Sequence, residues 1–188
     1  MPGESHLMTG QQSGAGLIEV SISLLVLSIG VLGLGSLQVS AKRMGFEATQ
    51  RTEAAALAMD LFERLRANRI ALSEYAVADI GSADGSSLPI PLVDCAGDAC
   101  SPTQLKVWDL WSWERALDGA TSGNSEGGLV RPAACITIIG RKVTLDIAWQ
   151  GFRSLGEQGP DVGCGAGRYG SGDTDRQWSS MTSWIGEE

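Results

Sequence analysis

The sequence predicts an α+β fold, with one very long N-terminal helix followed by a small antiparallel sheet and a short helix. Three observations carry that expectation. Val20 to Ala41 are 22 residues in a row without a charge. No proline separates them from an amphipathic stretch that reaches Arg69. Far downstream, between Val143 and Trp149, apolar and polar residues alternate with period two.

The uncharged run comes first. At a rise of 1.5 Å per residue it would reach about 33 Å, roughly the hydrocarbon thickness of a bilayer. A membrane-spanning helix over about residues 17–41 is the leading expectation. A buried core helix is the alternative, and it is less favoured because core helices of this length are usually interrupted by polar residues. The following segment, EATQRTEAAALAMDLFERLRANR, places Ala54, Ala58, Leu61, Phe62 and Leu65 at helical spacing on one face. Arg51, Asp60, Glu63, Arg64 and Arg66 lie mostly elsewhere. The two segments read as one helix over residues 15–70, about 84 Å long, of which half must be stabilised from outside the globular domain. Gly30, Gly33, Gly35 and Gly45 weaken it by about 1 kcal/mol each against Ala.

Composition changes after Ile70: 17 of the 25 glycines and all six tryptophans lie in residues 71–188, which form the expected globular α+β domain. Gly81 to Pro91 reads as a loop. SPTQLKVWDLWSWERALDG reads as a helix, with Ser101 as N-cap, Pro102 in the first turn and Gln104 completing a capping box. Gly119 ends it. After a loop over residues 121–128, CITII, a Gly-Arg-Lys turn and VTLDIAW read as a hairpin. In its second strand Val143, Leu145, Ile147 and Trp149 share one face. A Gly-rich loop over residues 151–172 leads to RQWSSMTSWI, the expected last strand.

Charge narrows the partners. Residues 71–188 carry sixteen acids and eight bases, and this acidic balance argues against nucleic acid and anionic lipid, both of which are bound through Lys and Arg. It suits a solvated face outside the cytoplasm. Cys95, Cys100, Cys135 and Cys164 all lie there, and their even number suits two disulfides in an oxidising compartment. Four cysteines allow three connectivities and sequence does not choose among them; the favoured one pairs Cys95 with Cys100 in a short local loop, and Cys135 with Cys164. A zinc site is disfavoured, since neither a C-x-x-C spacing nor a nearby His is present. Lys42 and Arg43 follow the apolar run directly, and the positive-inside tendency would put the C-terminal part in the cytoplasm. The cysteines are given more weight.

The opening stretch, SGAGLIEVSISLLVLSIGVLGLGSLQ, resembles a type IV prepilin processing site. Prepilin leaders end in Gly, and the mature chain begins Phe-Thr-Leu-Ile-Glu with Glu fifth. Here Gly14 stands before the cut and Ala15, Gly16, Leu17, Ile18 and Glu19 follow it, with Ala15 in place of the usual Phe and no basic residue in the leader. Further segments, ALAMDLFERLRANR, DCAGDACSPTQLKVWDLWSWERAL, VTLDIAW and CGAGRYGSGDTDRQWSSMTSWI, resemble in order the minor pilin family called type IV pilus modification protein, PilV. The long loop before Cys135 departs from the short turn of that family.

The resemblance implies a pilin-like fold and a non-enzymatic role without a cofactor. It implies a leader over residues 1–14, cleavage between Gly14 and Ala15 by prepilin peptidase, and methylation of the Ala15 amino group. Glu19 becomes the assembly residue, meeting the free amino group of Ala15 or of a neighbouring subunit. The chain would cross the bacterial inner membrane once, contacting its lipid, with residues 71–188 in the periplasm, and would enter the pilus with the major pilin and other minor pilins in a priming or tip complex. A type II secretion pseudopilin would share the leader and helix. A membrane-anchored periplasmic binding protein or enzyme would need no cut at Gly14, and Glu19 would then merely sit at the membrane interface.

Catalysis has little to work with. The only histidine, His6, lies in the leader, so the mature chain would lack a Ser-His-Asp triad, a Cys-His pair or a histidine metal site. Trp108, Trp111 and Trp113 spread over more than one helix face, which suits core packing plus a subunit contact better than ligand stacking. Asp173 and Asp175 in GSGDTDRQ lack the fuller acidic pattern of an EF-hand loop, so a plain turn is expected and no metal site.

Overall fold

The computed structural model describes residues 16–84, 87–119, 128–152 and 163–186. The fold is α+β. One helix, α1, runs unbroken from Leu17 to Ala67, three residues short of the expected end. Asn68 stops it, and a tight helical segment, Arg69–Tyr75, follows. The chain divides into two compact units between Arg43 and Met44, so the amphipathic half of α1 belongs with the globular unit.

In the first unit every large apolar side chain from Leu17 to Val39 is exposed. This stretch has no core of its own.

The second unit holds a four-stranded antiparallel sheet in the order β1-β2-β3-β4, where β1 is Val77–Ile80, β2 Ala133–Ile139, β3 Lys142–Gln150 and β4 Arg176–Trp184. β1 is short, and no alternating run in the sequence marks it. β2 and β3 pair from Ala133 with Ala148 to Ile139 with Lys142, as a hairpin whose first turn residue, Gly140, has φ +61°. Glycine suits that left-handed position in a two-residue hairpin turn. β3 and β4 pair without interruption over nine residues each, from Lys142 with Trp184 to Gln150 with Arg176.

The core lies on one face of the sheet. Val143, Leu145, Ile147 and Trp149 of β3 bury there beside Ala134 and Ile136. From α1, Ala54, Leu57, Ala58, Leu61, Phe62 and Leu65 join them, at the i, i+3 and i+4 intervals that make one helix stripe. A second helix, α2 (Pro102–Leu117), adds Leu110, Trp113 and Leu117. A smaller cluster of Ala133, Ala148 and Tyr169, with Trp178 against it, covers part of the other face.

Local chemistry places α2. The Ser101 hydroxyl accepts from the Gln104 N–H and the Gln104 side chain accepts from the Ser101 N–H, which satisfies two donors that a helix start leaves open. At the far end Gly119 has φ +74° and Gly128 φ +81°, and a Cβ on Gly128 would come within 2.3 Å of the Gly119 nitrogen. Only glycine permits that close crossing.

Candidate functional site

The N-terminal candidate begins at Gly16, whose carbonyl accepts from the N–H of Glu19 at 2.9 Å and of Val20 at 3.3 Å. Glu19 therefore stands in the first turn of α1, where the unpaired N–H groups of the helix favour a negative charge. It is exposed. Gly14 and Ala15 lie outside the described residues.

Beyond Glu19 the helix presents an apolar exterior on which three serine hydroxyls bond back to the helix's own carbonyls. The hydroxyls of Ser21, Ser28 and Ser36 donate to the carbonyls of Leu17, Leu24 and Gly33 at 2.9, 2.7 and 2.8 Å. Where no water is at hand, such bonds spare each hydroxyl the cost of standing unpaired. By length and composition α1 can cross a membrane. A Cβ on Gly30, Gly33 or Gly35 would meet nothing within 4 Å, so no packing within the chain requires these glycines.

Within the globular unit the buried acids serve as structural acceptors. The Tyr75 hydroxyl donates to Asp109 at 2.6 Å, and the Asn68 side-chain amide donates to the Tyr75 oxygen at 2.9 Å and to the Pro102 carbonyl at 2.7 Å. Arg64 adds a weaker contact to Asp109 at 3.4 Å and a bond to Ser112 at 2.7 Å. These groups tie the end of α1 to α2. Burial pushes the Asp109 carboxyl above the usual carboxylate range, against the Tyr75 hydrogen bond and the Arg64 charge. Burial also raises the Tyr75 phenol well above its ordinary value, helped by its bond to Asp109. Glu114, 3% exposed, accepts from the N–H groups of Gly81 and Leu88 at 3.2 and 2.6 Å. Nothing in the sequence pattern marks this network beyond two acids, Asp109 and Glu114, flanking the apolar Leu110, Trp111 and Trp113 of α2.

The remaining sequence candidates have structural surroundings. Cys95 is bonded to Cys100, and Cys135 to Cys164, each with Cα atoms 5.7 Å apart. The first bridge closes immediately before the N-cap of α2. Trp113 is fully buried and its ring N–H donates to the Leu57 carbonyl at 2.8 Å. Trp108 and Trp111 are half-buried with ring centres 5.3 Å apart, and the Arg115 guanidinium lies 5.3 Å from the Trp111 ring. Asp173, at φ +56°, accepts from the N–H of Gly167 at 2.6 Å and of Tyr169 at 3.1 Å, with Arg176 3.8 Å away. Burial raises its carboxyl, but those donors and the Arg176 charge outweigh burial and hold it below the usual range. Among the described residues no group of three His, Cys, Asp or Glu is placed to hold a metal ion.

Residues 36–111 match the family model described as Type IV pilin Tt1218, or Tt1218-like. The matched segment joins the end of the apolar run, the buried half of α1 and most of α2. The match covers less than half of the chain and makes that segment similar to a type IV pilin. Comparison with curated proteins and with solved structures returns no match.

Proposed function

We propose that this chain is a minor subunit of a type IV pilus, of the kind the PilV resemblance implies. It is made as a precursor, cut between Gly14 and Ala15 by prepilin peptidase and methylated at the Ala15 amino group. The first part of α1 holds it in the bacterial inner membrane in a single pass, with the globular unit in the periplasm. From there it joins the major pilin and other minor pilins in a priming or tip complex. One observation carries the reading: Glu19 is the single charge on an exposed apolar helix from Leu17 to Ala41, in a chain whose residues 36–111 match a pilin model. The two disulfides suit the periplasm.

The role of Glu19 follows from two opposing energies. A carboxylate in hydrocarbon costs about 2.5 to 3.5 kcal/mol. A cation about 4 Å away returns about 4 kcal/mol at an effective dielectric of about 20. The pair is near balance, so its contribution is specificity: the amino group freed at Ala15, or that of a neighbour, meets Glu19 only in the correct stagger.

Mass spectrometry of the protein from membranes should find an N-terminus at Ala15 carrying a methyl group; an intact Met1 would sink the processing step. Glu19→Ala should still insert in the membrane while losing co-purification with other pilins. Unchanged co-purification would remove the pairing role.

A further inference from the structure

The two edges of the sheet are built differently. β1 is four residues long, its register with β2 is irregular, and its own residue Asp79 pairs with Arg168. β4, by contrast, is nine residues long and in unbroken register with β3. The N–H of Ile185 donates to the Arg141 carbonyl at 2.9 Å, and the N–H of Gly151 to the Asp175 carbonyl at 2.8 Å. Those two pairs set the parity of the antiparallel ladder, so the backbone groups of Gln177, Ser179, Met181 and Ser183 face β3. The N–H and C=O groups of Ser180, Thr182 and Trp184 therefore point away from the sheet. All three residues are exposed, and among the described residues no hydrogen bond reaches their backbone from the open side. Soluble proteins blunt such an edge with lysine, proline or a bulge. Between Ser180 and Trp184 this edge has none.

A groove of about 520 Å³ runs beside the same edge, lined by Met59, Phe62 and Met181 and by the Glu63–Arg66 ion pair, whose guanidinium also donates to the Ser183 hydroxyl at 2.8 Å. Met59 is 66% exposed, and on the opposite face of the strand Trp184 is 70% exposed. A strand laid along β4 would pair its backbone with these open groups and set alternate side chains into the groove.

We propose that the open edge of β4 accepts an extended segment of a companion pilin subunit, with apolar side chains at alternate positions seated against Met59, Phe62 and Met181. The inference rests on the pilin reading above and adds to it the surface and the mode of contact. A second copy of this chain is the poorer occupant, because residues 71–188 carry sixteen acids against eight bases and two such units repel.

Ser180→Pro tests this directly. Proline there removes an N–H that points outward, so the bonds to β3 are kept while an added strand loses a donor and meets the ring. The full chain is purified from membranes of the cells that make it, and the pilin-type subunits that come with it are quantified. Ser180→Pro and, independently, Thr182→Lys should each lower that yield at least ten-fold, while Ser180→Ala leaves it unchanged. Protection of the inward Ser179 and Met181 amides from hydrogen exchange in Ser180→Pro shows that the sheet has formed; Thr182→Lys, which keeps every backbone donor, decides if it has not. Companion subunits retained at the wild-type level in a folded variant overturn the edge contact and leave the pilin reading standing. If no pilin-type subunit accompanies the wild-type chain, the pilin reading fails and the edge contact falls with it.

Discussion

Asp109 is buried among groups that balance its charge only in part. Tyr75 donates to one oxygen at 2.6 Å, whereas Arg64 stands 3.4 Å from the other and also bonds Asp60 and Ser112. Its carboxyl is therefore raised in the folded protein. A raised group contributes stability that is full below its unfolded value, about 3.9 for Asp, and lost as pH rises through the folded one. Asp173 works in the opposite sense, since its lowered carboxyl contributes stability above the unfolded value that is lost as pH falls through the folded one. Asp109→Asn should keep an acceptor for Tyr75 and remove the first component. Thermal unfolding midpoints should then show the wild type losing ground to Asp109→Asn as pH is raised from about 4 to about 7. A constant difference between the two would mean that Asp109 is not perturbed. Gln50 is matched more completely: its amide donates to the Gly128 carbonyl and accepts from the Val130 N–H, each at 3.0 Å, standing in for a strand neighbour where the chain approaches β2.

Among the elements, α2 owes its position to its first turn. The Cys95–Cys100 bridge, the Ser101 cap and Pro102 succeed one another within a few residues, so the chain direction is set before the helix begins. Ser101→Ala should lower unfolding stability by about 1 kcal/mol, read from urea denaturation with an unchanged slope. An effect near zero would show that the bridge alone sets the helix start. This element was legible in the sequence because a capping box is local chemistry within four residues. The alternation of Val143 to Trp149 was legible for the same reason, since side-chain direction in a strand depends only on position along it. β1 was not, because its four residues become a strand only by pairing with β2, more than fifty residues away.

On the scale of the whole molecule, the boundary between the two compact units falls inside α1, between Arg43 and Met44. The consequence is testable by truncation. A chain starting at Met44 keeps Ala54, Leu57, Ala58, Leu61 and Leu65 in the core and should unfold cooperatively without detergent, followed by circular dichroism on heating. One starting at Ala71 loses that entire stripe and should not fold. Comparable cooperative melts for both would place the stability of the globular unit in the sheet and α2 alone.

The sequence by itself determined the apolar helix with Glu19 at its head, the amphipathic stripe that follows, the cap of α2 and the β2–β3 hairpin, because each is written in spacing along the chain or in contacts between near neighbours. Only the tertiary structure decided that Asp109, Tyr75, Asn68 and Arg64 meet and that one edge of the sheet is left long and open beside a groove. Those features depend on which distant residues the packed core brings together, and a linear pattern carries no record of that.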